Sequence, residues 1–128
     1  MSHEVSLLVW SVALTFVQML VSAAGAQGTV SLQTLVGNRD DMPPLTGWAG
    51  RARRAHLNML ENLPLFAALV LAAQVSSKLN GTTLLGAEIF FWARLVYAVI
   101  YVAGIPWVRT LVWLVSVIGM LMIFSQLV

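Results

Sequence analysis

Long apolar segments alternate with short polar connections along this chain of 128 residues. A helix needs about 20 predominantly apolar residues to cross the hydrocarbon core of a membrane. The pattern predicts four spanning helices, over residues 5–26, 47–75, 84–103 and 105–128. The predicted fold class is therefore all-α, with residues 1–128 forming a single integral membrane four-helix bundle.

Two polar connections and one tight link separate the predicted helices. Residues 27–45 contain Gly37, Asn38 and the pair Pro43-Pro44, which favour turns and break helices. Residues 76–83 form a shorter connection with a predicted turn at Asn80-Gly81, and Gly104-Ile105-Pro106 joins the last two helices. With four spans, both chain termini are expected on the same side of the membrane.

The composition favours a membrane protein over a soluble one. Hydrophobic residues make up 59% of the chain and charged residues only 9%, whereas soluble domains carry about 25% charged residues. The net charge of +2 is too small to indicate a nucleic-acid partner. Because the chain has no cysteine and His56 stands alone, no metal site is expected.

Basic residues are concentrated on one side of the predicted bundle. The opposite side has only Lys78. Because cytoplasmic loops carry an excess of lysine and arginine, the bias places the basic connections in the cytoplasm and both termini outside. The basic residues that set this bias are Arg39, Arg51, Arg53, Arg54 and Arg109.

The second predicted helix carries a stripe of polar residues on one face. Arg54, Asn58 and Glu61 are spaced i, i+4 and i+7, and Arg51 extends the stripe one turn backwards. Such groups are costly in hydrocarbon, so they should face the bundle interior or a polar cavity. Two other interpretations remain open: a purely structural network between helices, and lipid-headgroup anchoring by Arg51 and Arg53.

A second polar stripe lies on the third predicted helix. Arg94, Tyr97 and Tyr101 are spaced i, i+3 and i+7, and Arg109 falls in the first turn of the fourth helix. All are expected in the cytoplasmic third of the membrane, as the first stripe is, which predicts one shared polar site. Alternatively, Arg94 pairs with Glu61 or another buried acid, the tyrosines form an aromatic belt, and Arg109 is only a positive-inside charge.

The chemistry of these two stripes indicates a ligand class. Arginine side chains bind carboxylates through two parallel hydrogen bonds, and a carboxylate can accept an ammonium group. Several cations, one carboxylate and phenol donors therefore suit a small zwitterion with excess negative charge. Glutathione fits this description, since it has two carboxylates, one amine and a thiol.

The residues also carry a family resemblance. The pattern RxxRAxxNxxExxPLF, from Arg51 to Phe66, resembles the signature of the MAPEG family, the membrane-associated proteins in eicosanoid and glutathione metabolism. ARLVYAVIY, ending at Tyr101, followed eight residues later by Arg109, resembles that family's third helix and the start of its fourth. The resemblance covers most of the chain.

This resemblance implies a homotrimer that binds glutathione between neighbouring subunits near the cytoplasmic face. It implies a glutathione-dependent transferase or peroxidase, whose thiolate attacks a lipophilic second substrate or reduces a lipid hydroperoxide. Arg109 would activate the thiol, with Tyr101 as a weaker catalytic candidate. The residues that would bind glutathione are Arg54, Asn58, Glu61, Arg94, Tyr97 and Tyr101.

The chain departs from the family pattern in ways that bear on activity. Asn62 stands where some eicosanoid-making members have tyrosine, and the first helix lacks arginine and lysine. These differences argue against a specific eicosanoid role and leave open a general detoxifying role or a site that binds without turnover. The alternative is a non-catalytic member that binds membrane lipid or a partner protein. A small drug/proton exporter is disfavoured, because residues 5–26 lack the carboxylate that such exporters use.

Overall fold

The computed structural model describes residues 1–128 and contains five helices and no strand. Four of the five helices are long and apolar enough to cross a membrane. The all-α fold class and the four expected spanning helices are therefore confirmed. The helices are α1 (His3–Thr29), α2 (Leu32–Val36), α3 (Gly47–Val75), α4 (Gly81–Ala103) and α5 (Pro106–Leu127).

The first connection is shorter and more ordered than predicted. α1 continues to Thr29, so residues 27–29 are helical and do not belong to the connection. The connection also contains α2, a short helix whose N-cap residue, Ser31, accepts a hydrogen bond from the Thr34 amide. Five residues are too few to show a helical period, so the sequence pattern could not reveal α2.

α4 begins three residues before its predicted start. The Asn80 side chain accepts hydrogen bonds from the first turn, and the Thr83 hydroxyl accepts one from the Asn80 amide. This reciprocal capping makes the predicted turn at Asn80-Gly81 the beginning of a helix. The Thr83 hydroxyl also donates to the buried Glu4 carboxylate at 2.8 Å, which ties the start of α1 to the start of α4.

Small residues bring pairs of helices into close contact. A Cβ atom added at Gly86 of α4 would lie 2.5 Å from the Gly119 carbonyl oxygen of α5, and one added at Gly119 would lie 2.6 Å from the Gly86 carbonyl oxygen. The two backbones therefore meet directly. At the other end, Gly25 of α1 packs against Ala49 of α3; Gly25 lies in a run of small residues that ends the first apolar segment.

The apolar core lies between α1, α3, α4 and α5. Phe66 and Phe90 stack at its centre with ring centroids 4.0 Å apart, and Met59 and Ile123 are fully buried beside them. α3 continues through Pro64 without interruption. Many large apolar side chains on the four long helices point outwards and are exposed, as a surface in contact with lipid requires.

The five arginines that set the predicted orientation lie at one end of the bundle. We call this the basic end; it comprises the end of α1, α2, the first turns of α3 and the link between α4 and α5. There, Arg51 Nε donates to the Val102 carbonyl oxygen at 2.9 Å, beside Gly104, which ends α4 with a φ of 88°. Arg51 therefore joins α3 to the end of α4, a role that the sequence did not indicate.

Candidate functional site

Arg94 is the most deeply buried charged side chain of the protein. It is 1% exposed and lies nine residues before Ala103, about 14 Å from the end of α4 at 1.5 Å per residue. Arg94 Nη2 donates to Asn58 Oδ1 at 2.8 Å, whereas Nε and Nη1 are enclosed and have no hydrogen-bond partner. A buried cation with two unpaired nitrogens is costly unless an anion completes its environment.

Asn58 is held in place by a second asparagine one turn further along α3. Asn62 is 7% exposed, and its amide nitrogen donates to the Asn58 backbone oxygen at 2.8 Å and to Asn58 Oδ1 at 3.2 Å. Because an arginine can only donate, the Asn58 atom that faces Arg94 must be the oxygen. That oxygen therefore has two donors, one from Arg94 and one from Asn62.

Two tyrosines extend this group from Arg94 towards the basic end. We use the name Arg94 cluster for Asn58, Asn62, Arg94, Tyr97 and Tyr101. The Arg94 guanidinium lies over the Tyr97 ring, 4.3 Å from its centroid. Tyr97 packs edge-to-face against Tyr101 at 5.5 Å, and the Arg109 guanidinium lies 4.4 Å from the Tyr101 centroid. Each arginine is thus positioned by an aromatic face. The order Arg94–Tyr97–Tyr101–Arg109 forms a continuous ladder along α4 and onto α5.

The tyrosines pack on small and aromatic residues of neighbouring helices. Ala55 of α3 is 1% exposed and packs with Tyr97 and Tyr101, and Val112 and Trp113 of α5 border the same group. The Trp113 indole nitrogen is enclosed and has no partner. An alanine at position 55 leaves room for both rings between α3 and α5. The ladder is therefore a three-helix site rather than an aromatic belt at the membrane surface.

Two further residues of the α3 stripe lie outside this cluster, as Arg51 does. Arg54 and Glu61 are exposed, and Arg54 Nη1 lies next to Gly50, towards the basic end. The stripe was expected to face the bundle interior or a polar cavity; within the single chain these two residues do not face the bundle interior. Only the member between them, Asn58, reaches the Arg94 cluster.

The alternative pairing of Arg94 with Glu61 is wrong. One nitrogen of Arg94 binds Asn58 and the other two have no partner, so none contacts a carboxylate. Asn62 is the cluster residue that sequence reasoning did not assign to the site. Its spacing of four residues from Asn58, on a helix, was the signal that could have identified it.

Four spanning helices with a buried, incompletely paired arginine between them define an integral membrane protein with an internal polar site. The family model of the MAPEG family matches residues 7–128. The chain therefore belongs to the MAPEG family and is a multi-pass integral membrane protein. No curated protein and no solved structure matches the chain significantly.

Proposed function

We propose that the protein is a glutathione-dependent membrane transferase or peroxidase. The observation that carries the proposal is the state of Arg94, which is buried, faces no carboxylate and has two unpartnered nitrogens. An anionic ligand that reaches these nitrogens would form two charge-assisted hydrogen bonds. Glutathione has two carboxylates, and family membership supports the choice of glutathione over other small anions.

In this proposal, residues of α3 and α4 each bind a different part of glutathione. Arg94 binds one carboxylate, and Asn58 orients the Arg94 guanidinium through the bond to Nη2. Arg54 and Glu61 are exposed on α3 and accessible to the outer part of the ligand. Arg54 suits the second carboxylate and Glu61 suits the amine, because each offers the opposite charge.

Arg109 is assigned to the thiol. A free thiol has a pKa near 8.5, so most of it is protonated at neutral pH. A guanidinium beside the sulfur stabilises the thiolate, and each unit by which the thiol pKa falls corresponds to about 1.4 kcal/mol. The Tyr101 ring fixes the Arg109 guanidinium at 4.4 Å, and the Tyr101 hydroxyl is the weaker catalytic candidate.

Glutathione supplies the nucleophilic sulfur. In the transferase reaction the sulfur forms a bond to a lipophilic electrophile, whose leaving group departs with the bonding electrons. In the peroxidase reaction two glutathione molecules reduce a lipid hydroperoxide to an alcohol and water and form one disulfide. The chain contributes binding, orientation and stabilisation of the thiolate, and a lipophilic second substrate arrives from the bilayer.

The first test is glutathione binding to the detergent-purified protein, followed by the ultraviolet absorbance of the thiolate. We expect saturable binding with a thiolate signal near neutral pH. Arg109→Ala should retain binding but lose most of that signal, because the charge beside the sulfur is removed. Lys78→Ala, at the end of the bundle opposite the basic end, serves as the matched control and should leave both readouts unchanged.

Two outcomes of this test would redirect the proposal. No binding at millimolar glutathione would favour the alternative function, a non-catalytic family member that binds membrane lipid or a partner protein. Binding without a thiolate signal in the unmodified protein would separate recognition from activation, and Arg109 would lose its assigned role.

We also propose that the protein assembles as a homotrimer, with the basic end in the cytoplasm. Arg54 and Glu61 are exposed on a spanning helix, where contact with lipid would be costly. A neighbouring subunit would cover them and complete the glutathione site.

Native mass spectrometry from mild detergent should show a trimer, and the double variant Arg54→Leu/Glu61→Leu should change the subunit count or glutathione affinity. A monomer that binds glutathione fully would contradict this assembly.

A further inference from the structure

A second pocket lies at the basic end of the bundle. It is bordered by the end of α1, by α2 and the loop that follows it, and by the first turns of α3, and its volume is about 370 Å³. None of the residues of the Arg94 cluster lines it. The pocket is therefore separate from the proposed glutathione site within the single chain.

The lining of this pocket is amphipathic. Eight of its 13 lining residues are hydrophobic, and they include Leu32 and Leu35 of α2 and Met42 of the loop. The polar lining includes the cations Arg39 and Arg53 but no acid. Although Asp40 and Asp41 follow Arg39 in sequence, neither lines the pocket. The pocket therefore suits a molecule with an apolar part and a negative charge.

Arg39 is held in position by its own backbone and by α2. Its φ is 63°, in the left-handed region that residues other than glycine seldom adopt. Its Nε donates to the Leu35 carbonyl oxygen of α2 at 2.8 Å. This bond fixes the guanidinium against the end of α2 and leaves its two terminal nitrogens available to a ligand.

His56 adds a further polar group on the α3 side of the pocket. It is half-buried, and its Nδ1 atom is enclosed without a hydrogen-bond partner. Arg53, three residues earlier on the same helix, is exposed. The pocket thus has Arg39 on one wall and Arg53 and His56 on another.

We propose that this pocket binds the headgroup of an anionic phospholipid from the membrane leaflet at the basic end. The pocket lies where spanning helices leave the membrane, which is the depth of phospholipid phosphates. Basic pockets between helices at this level recognise acidic headgroups. The hydrophobic walls favour a lipid over a soluble anion, because a soluble anion would leave those walls in contact with water.

The test is lipid retention measured by native mass spectrometry of the full-length protein. The probes are phosphatidylglycerol and phosphatidylcholine with identical acyl chains. We expect preferential retention of phosphatidylglycerol, and an affinity about 25-fold lower in Arg39→Gln/Arg53→Gln, since each basic residue near a membrane surface contributes about fivefold. Lys78→Gln, which removes the cation at the opposite end, should retain the lipid normally.

Three outcomes would overturn the proposal. These are equal retention of the two lipids, unchanged retention of phosphatidylglycerol in the double variant, and displacement of the lipid by millimolar inorganic phosphate or glutathione. Displacement would assign the pocket to a soluble anion. If the double variant does not fold, Arg53→Gln decides alone, because Arg53 is exposed and its loss should still lower affinity about fivefold.

Discussion

Replacing Arg94 with methionine should lower the affinity for glutathione at least about 30-fold without destabilising the protein. Removing one partner of a buried, hydrogen-bonded charge pair costs about 2–5 kcal/mol, which corresponds to a loss of about 30-fold to several thousandfold in affinity. The substitution also removes a buried cation with two unpaired nitrogens. Asn58 Oδ1 keeps the Asn62 amide as a donor at 3.2 Å, so no buried acceptor is left unpaired.

The measurements for this variant are calorimetric binding of glutathione and the midpoint of thermal unfolding in detergent. Arg94→Lys keeps the charge but loses the planar group that binds carboxylates in parallel, and it should bind weakly. Glu88→Gln, on the exposed side of the same helix, is the matched control and should behave like the unmodified protein. Normal binding by a folded Arg94→Met variant would remove Arg94 from the site.

Arg109→Ala should lower turnover much more than it lowers affinity for glutathione. Without Arg109 the thiol pKa returns towards 8.5, where only about 3% of the thiol is ionised at pH 7, so kcat should fall by about 10- to 30-fold. The Arg94 cluster, which holds the carboxylate in our proposal, remains intact in this variant. Steady-state kinetics with a lipophilic aryl halide should therefore show a large fall in kcat with only a few-fold change in the KM for glutathione.

Tyr101→Phe distinguishes the two catalytic candidates. The variant retains the ring beneath Arg109, whose guanidinium lies 4.4 Å from the centroid, and removes only the hydroxyl. If Arg109 activates the thiol, kcat should fall by less than about tenfold. A fall of about 10²-fold or more, the size expected for loss of an acid or base group, would transfer the catalytic role to the Tyr101 hydroxyl.

Hydropathy and helical spacing were sufficient to predict the bundle and much of the polar cluster. The spacing of Arg94, Tyr97 and Tyr101 places them on one face of a helix, and that face is buried against α3 and α5. Helical periodicity could indicate this shared face because a spanning helix is regular along its whole length. Whether glutathione binds these residues remains a prediction.

The α3 stripe shows why the rest of the site could not be predicted. At about 100° per residue, Arg54 and Glu61 lie within about 20° of each other, and Asn62 lies about 80° from Arg54. Spacing gives these angles but does not show on which side of α3 the neighbouring helix α4 packs. In the structure α4 packs on the side where Asn62 lies. The stripe therefore straddles the edge of the interface, and only Asn58 is close enough to reach Arg94.

The direct contact between Gly86 and Gly119 has a consequence for the catalysis that we propose. α4 and α5 are joined at two points, by this contact near one end and by the tight link at Gly104 near the other. Two points of attachment fix the angle between the helices, and hence the spacing of Arg94 on α4 from Arg109 on α5. The conformational entropy of the Arg94 and Arg109 side chains is then lost during folding, so that substrate binding does not carry this cost. The charges are preorganised before any ligand arrives, and a substrate needs only to fit them.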